Sequence, residues 1–182
     1  MMPAFAIGAA AAALLRAFQE GSPKTYRVIA EEAARGTRLP GPTTFLDAGM
    51  EGAVFNTTDP KTVLRVTHGG MAHREWEMIG ECWAGAVTIR AFETVGDFVV
   101  TWKERLNPNV EGFLIGRPNG EQIMQDLLGL YRLSPQRLKR LLSWPETRDL
   151  ALAIQDGMPV SDLDLSSNLG VTPDGRIVAF DL

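Results

Sequence analysis

Three groups of residues in this chain have types and spacings that could do chemistry. The first is Asp47-Ala48-Gly49-Met50-Glu51-Gly52-Ala53-Val54-Phe55, where two glycines precede a strand-like run. Backbone N–H groups in such a loop can approach phosphate oxygens with no Cβ in the way. A tight hairpin turn is the other use of the same residues. The second is Arg65 in Val63-Leu64-Arg65-Val66, a single cation in an apolar strand. Facing inward it needs an anionic partner, and the segment that follows offers Glu75, Glu77 and Glu81. Facing outward on a half-exposed strand it needs none. The third group is Asp162, Asp164, Asn168 and Asp181, which bracket one C-terminal hairpin. If Asn168 opens that hairpin and Asp181 closes it, the two ends meet in space, and hard oxygen ligands brought together in this way suit Mg²⁺. Capping and turn chemistry is the alternative for Asp162, Asp164 and Asn168.

The elements that must position these groups follow from patterning. Helices are expected over Ala9 to Glu20 and Lys24 to Arg35, the second with Tyr26, Ile29, Ala30 and Ala33 on one face and Gly36 ending it. Pro40-Gly41-Pro42 reads as a linker. From Thr43 to Glu104 short β-like runs surround one helix. Ala53-Val54-Phe55 and Thr62 to Val66 form a hairpin turned by Asp59-Pro60-Lys61, and Ala86 to Phe92 with Asp97 to Lys103 form another. Met71 to Cys82 reads as a helix with Trp76, Ile79 and Trp83 at helical spacing. Glu121 to Tyr131, Pro135 to Leu142 and Pro145 to Asp156 are expected helices. Leu169 to Val171 and Ile177 to Phe180 are strands turned by Pro173-Asp174-Gly175, where proline presets φ and glycine tolerates a positive φ.

Composition narrows the function classes. The chain has 182 residues, 45% of them hydrophobic and 22% charged, which fits one domain or one domain with a small appendage. A net charge of −4 argues against a free-standing nucleic-acid binder. A single cysteine, Cys82, excludes an internal disulfide, and its simplest reading is a small apolar side chain on a helix. Two histidines, His68 and His73, are too few for most His-based metal sites. The apolar run from Pro3 to Leu15 is shorter than the roughly 20 residues of a membrane span, and no Lys or Arg precedes Arg16 as in a secretory leader. A cytoplasmic protein without a membrane span is the expectation.

Taken in order, the three groups resemble the protein-kinase-like fold, in the compact form found among bacterial and phage kinase-like proteins and small-molecule phosphotransferases. In place of the kinase loop G-x-G-x-x-G-x-V, Asp47 to Val54 keeps the second and third glycines and has Asp47 at the first. Val63-Leu64-Arg65-Val66 is similar to the strand V-A-I-K, with Arg65 in the lysine's place. His73-Arg74-Glu75-Trp76-Glu77 resembles the helix whose glutamate pairs that cation, with Glu75 the first choice for that glutamate, and Thr101 to Leu106 resembles the hinge whose backbone meets adenine. Asp164-Leu165-Ser166-Ser167-Asn168 through Asp181-Leu182 resembles D-L-x-x-x-N followed by the metal-binding aspartate, with Asn168 and Asp181 13 residues apart.

The resemblance implies an α+β fold: a small antiparallel sheet with one inserted helix, then a reduced helical lobe ending in a β-hairpin, with two extra N-terminal helices. It implies an N-terminal extension at 1–42, an N-lobe at 43–106 and a truncated C-lobe at 107–182. Its cofactors would be ATP and Mg²⁺. Gly49, Gly52, Arg65, Glu75, Glu77 and Glu104 would lie at the nucleotide, and Asn168 and Asp181 at the metal. Asp162 or Asp164 would be the catalytic base. The family places that aspartate five residues before the asparagine, whereas Asp162 stands six before and Asp164 four before. Two functions therefore follow from the resemblance. One is phosphoryl transfer to a protein or small-molecule hydroxyl. The other is a truncated pseudokinase that contacts a protein partner, as a phage host-interaction or particle-associated protein would.

Overall fold

The computed structural model describes residues 23–48, 52–160 and 168–180. The expected helix at Ala9 to Glu20 lies outside them. The chain divides into two compact units. One holds the chain up to His73 together with Arg90–Lys103, and the other holds Arg74–Ile89 together with the chain from Glu104 onward.

The first unit is an antiparallel sheet of five strands: β1 (Pro42–Ala48), β2 (Gly52–Thr57), β3 (Thr62–His68), β4 (Ile89–Val95) and β5 (Phe98–Glu104). The strand order is β1-β2-β3-β5-β4. Alternation decides its faces. Ala53, Phe55, Leu64, Val66, Phe98, Val100 and Trp102 turn to one side and share a core with helix α1 (Pro23–Thr37). That helix offers Ile29, Ala30, Ala33 and Ala34; small side chains let its backbone approach the sheet closely. It runs one turn-position further than Gly36. Arg38, at φ 62, provides the left-handed cap, and its N–H donates to the Ala34 carbonyl at 2.9 Å.

Pro40 to Pro42 is not a free linker. The Trp102 indole N–H donates to the Pro40 carbonyl at 2.8 Å, the Thr58 N–H donates to Gly41 at 3.2 Å, and Pro42 begins β1. The turn at Asp59 behaves as expected: its carboxylate accepts from the Lys61 N–H at 2.9 Å and from the Thr62 hydroxyl at 2.6 Å. Gly96, at φ 56, turns β4 into β5.

The second unit packs helices α2 (His73–Glu81), α3 (Val110–Leu114), α4 (Gly120–Leu127), α5 (Pro135–Ser143) and α6 (Arg148–Gln155) around the hairpin β6 (Leu169–Val171) and β7 (Ile177–Ala179). Its core includes Met78, Leu114, Ile123, Leu141, Leu150 and Ile177. Buried Asp126 joins α4 to α5. It accepts two parallel bonds from Arg140, at 2.6 and 2.8 Å, and a bidentate guanidinium is the geometry that best offsets the burial of a carboxylate.

Several expectations change here. Helix α2 starts at His73 and buries Glu75 and Met78, while Trp76 is exposed. Cys82 lies past its end, exposed and at φ 50, so it is not an apolar helix residue. The strand expected over Ala86 to Phe92 divides: Ala86 bridges to Ala179 and β4 begins at Ile89. Helix α4 stops at Leu127, and a separate 3-10 turn covers Leu130–Arg132. Ser134 caps α5 as its Ser-Pro pair implies, its hydroxyl accepting from the Arg137 N–H. Trp144-Pro145 does not start α6. The buried Thr147 hydroxyl is committed to the Leu141 carbonyl at 2.7 Å, and the helix begins at Arg148. Short α3, capped by Asn109, escapes a periodicity argument because five residues are too few to show one.

Two stability predictions follow from these contacts. Trp102→Ala is expected to cost about 3–5 kcal/mol through lost burial, and Trp102→Phe about 1–2 kcal/mol because the Pro40 carbonyl loses its donor; urea unfolding followed by circular dichroism measures both. The Asp174 carboxyl is held below its ordinary value by Arg176 and then Thr172, and Asp59 by the Thr62 hydroxyl and the Lys61 N–H. Depressed carboxyls stabilise the fold above their unfolded pKa, near 4, and that contribution disappears as pH falls through the lower folded value. The urea midpoint is therefore expected to drop between about pH 5 and pH 3, and less so in an Asp59→Asn, Asp174→Asn double variant.

Candidate functional site

Arg65 faces inward. Only 9% of it is exposed, and its Nε donates to the Thr67 hydroxyl at 3.2 Å, two residues along the same strand face. Leu64 and Val66 point to the opposite, apolar side. The strand pattern thus puts a cation on the sheet face away from α1. Of the two glutamates expected near such a cation, Glu75 is buried, with 2% exposed, and Glu77 is exposed. A half-turn of helix separates the two outcomes: Glu75 shares the inward stripe of α2 with Met78, three residues on.

Gly52 pairs with Thr67 across β2 and β3. A Cβ at this position would stand 1.9 Å from the Val66 carbonyl oxygen. The close approach of two strands requires this glycine, whatever else the loop does. Gly49 lies outside the described residues; the flanking residues Ala48 and Ala53 pair across β1 and β2. Glu104 ends β5, half-buried, with its N–H donating to the Thr88 carbonyl at 2.9 Å. The chain changes unit at Lys103 and Glu104, inside the segment expected to be a hinge.

The C-terminal hairpin has the expected register: Leu169 opposite Ala179, Gly170 opposite Val178 and Val171 opposite Ile177. One step further, the Phe180 N–H donates to the Asn168 carbonyl at 3.0 Å. Both edges of the hairpin are paired. Val171 exchanges two bonds with Asn107, and Ala179 donates to Gly85 and accepts from Val87. At the turn Gly175 takes φ 88, and Arg176 bonds both Asp174 and Asp149 at 2.8 and 3.1 Å. The strand edges and the turn of the hairpin are thereby held. Asp181 follows Phe180 directly in the chain; it lies outside the described residues, as do Asp162 and Asp164. Among the described residues no three His, Cys, Asp or Glu side chains cluster to hold a metal.

Sequence reasoning passed over Lys103. It is 3% exposed and alternates with Val100 and Trp102, both in the α1 core, so it shares the sheet face of Arg65. The run Phe98-Val99-Val100-Thr101-Trp102-Lys103 shows which stripe faces α1, but not that the stripe of Lys103 is buried as well.

Gly52 separates the structural from the phosphate-approach use of the loop. Gly52→Ala is expected to destabilise the protein by about 1–3 kcal/mol, the cost of overpacking, as measured by thermal or urea unfolding; a glycine needed only for ligand approach would leave stability unchanged. No protein-family model matches this chain, and no curated protein matches its sequence.

Proposed function

We propose that the protein is a kinase-like nucleotide binder that takes ATP with Mg²⁺. The observation that carries the reading is Arg65, a buried cation on the third strand of a sheet ordered β1-β2-β3-β5-β4. The antiparallel pair β1 and β2 precedes it, and a helix with a buried glutamate follows it between β3 and β4. The register of the final hairpin adds support, since it sets residue 168 opposite residue 180.

In this reading Arg65, oriented by Thr67, holds the nucleotide phosphates, and Glu75 is the carboxylate that balances the cation. Gly49 and Gly52 let backbone N–H groups cover the phosphates. Asn168 and Asp181 hold the metal, which neutralises phosphate charge when bound. Asp162 or Asp164 accepts the proton of an attacking hydroxyl. A second reading, nucleotide binding without transfer in a protein that contacts a protein partner, is favoured by one specific observation: neither aspartate stands five residues before Asn168. Transfer depends on positioning far more steeply than binding does.

The test is a thermal-shift titration with ATP, with and without Mg²⁺. Wild type is expected to be stabilised by Mg-ATP, and Asp181→Ala to lose the Mg²⁺-dependent part of the shift. No response in wild type removes the nucleotide reading. Transfer of label from γ-³²P-ATP to the protein or to a hydroxyl acceptor, abolished in an Asp162→Asn, Asp164→Asn variant, selects the phosphotransferase over the non-transferring form.

A further inference from the structure

One stretch of the second unit has a charge opposite to that of the whole chain. Residues 127–145 hold four cations, Arg132, Arg137, Lys139 and Arg140, and no Asp or Glu, in a chain of net charge −4. The stretch contains the 3-10 turn Leu130–Arg132 and helix α5, which follow α4. Packing decides which side the charges take. Leu138, Leu141 and Leu142 turn to the core, and Arg137, Lys139 and Arg140 fall on the remaining arc of α5.

Three of the cations are held in place. Buried Asp126 reaches both guanidiniums of α5: Arg140 makes the bidentate pair, and the Arg137 Nε stands 3.7 Å from the same carboxylate. Arg137 also donates to the Gly129 carbonyl at 3.3 Å, at a position where any Cβ would collide with its guanidinium. Arg132 lies over the Tyr131 ring, 5.4 Å from its centroid. One carboxylate against two guanidiniums leaves positive charge in excess, and the Arg137 and Arg140 side chains stay 34% and 43% exposed.

Apolar surface accompanies these charges. Leu128 and Tyr131 are more than half exposed, and in the chain they flank the glycine that Arg137 covers. An exposed aromatic ring and an aliphatic side chain beside ordered arginines are the composition of an interface centre. Arginine forks take carboxylates in bidentate geometry, as Arg140 takes Asp126. Because these side chains are already fixed by Asp126, Gly129 and Tyr131, less freedom is lost when a partner arrives. A nucleic acid fits less well. Four cations, two of them sharing a carboxylate, release few counterions, and the one ring on offer already carries Arg132 on a face.

We propose that this corner between α4 and α5 docks an acidic segment of a partner protein, whose carboxylates meet Arg132 and Arg137 and whose apolar side chains pack on Leu128 and Tyr131. The net negative charge of the chain repels such a segment elsewhere, so charge also steers it to this face. The proposal goes beyond the nucleotide reading and uses none of its residues, so either can fail alone.

The experiment is fluorescence anisotropy of a fluorescein-labelled peptide, Glu-Glu-Leu-Glu-Glu-Phe-Glu-Glu, titrated with the full-length protein. The same peptide with lysine in place of glutamate and an oligouridylate of equal length serve as comparisons. Wild type is expected to bind the acidic peptide, less tightly as salt rises. Arg132→Glu is expected to weaken binding by about tenfold. Tyr131→Ser is expected to weaken it by a factor that salt leaves unchanged. Lys61→Glu, which reverses an exposed cation of the first unit, is expected to have no effect. Absence of binding by wild type overturns the proposal, and so does equal binding by wild type and Arg132→Glu. Tighter binding of the lysine peptide or of oligouridylate also overturns it, the second in favour of a nucleic acid. Sedimentation of the protein alone as a dimer that Arg132→Glu dissociates assigns the face to a second copy and overturns it as well. Arg132 is exposed, so its comparison with wild type decides even if Tyr131→Ser does not fold.

Discussion

The first unit depends on keeping charge off one face of a sheet. Period-two alternation sends Leu64, Val66, Val100 and Trp102 toward α1 and leaves Arg65, Thr67, Thr101 and Lys103 on the other side. A slip of one residue in the register of β3 would drive Arg65 into the α1 core and send Leu64 to the polar face. No partner is available to a guanidinium there, because that core is built from alanine, isoleucine and aromatic side chains. The cost of such a burial fixes the register more firmly than any one apolar contact does. It also explains the company α1 keeps: a helix with Ala30, Ala33 and Ala34 inward can lie close enough to seal the apolar face.

Close backbone approach is the second constraint, and it recurs where elements must meet. Gly52 lets β2 reach β3. In the other unit Gly85 lies against the backbone of Asp149 and Leu150, where a Cβ would stand 2.6 Å from each, and its carbonyl accepts from Ala179. That single segment ties α6 to β7. With Asn107 on the opposite edge, it leaves the short hairpin with no open edge, which a strand pair of three residues needs for stability. Asp126, bound by Arg140, and Arg176, bound by Asp149, then fasten helix to helix and helix to turn. Apolar packing supplies the bulk of the unit, and these charge pairs select its arrangement.

What the sequence made legible divides along the same physical line. Turns written in short-range chemistry were readable: Asp59-Pro60-Lys61, Pro173-Asp174-Gly175 and Ser134-Pro135 each behave as their residue types demand. Helix α1 and strands β2, β3 and β5 carried clear periods. Features set by long-range contact were not readable. Thr147 starts no helix at Pro145 because its hydroxyl answers a carbonyl on the preceding helix. Ala86 leaves the β4 strand because Ala179 binds it. In the candidate site, the inward face of Arg65 needed the packed structure, whereas Glu75, the glutamate the helix pattern favoured over Glu77, is the buried one of the two. Lys103 was hidden by its neighbours, since an alternating stripe of valine, threonine and lysine reads as an ordinary solvent face until its burial is seen.

Binding and transfer lean on different parts of the chain, and this bears on what a kinase-like fold can keep. On the proposed nucleotide reading, two of the binding residues sit on regular elements or at their ends: Arg65 in a strand, and Asn168 at the mouth of a hairpin paired on both edges. Their positions are determined by packing that the protein needs in order to fold. The candidate bases, Asp162 and Asp164, precede that hairpin in a segment of different spacing from the kinase pattern. Selection for stability alone would preserve the first group. On the nucleotide reading proposed above, binding would outlast transfer, because transfer depends on positioning far more steeply than binding does.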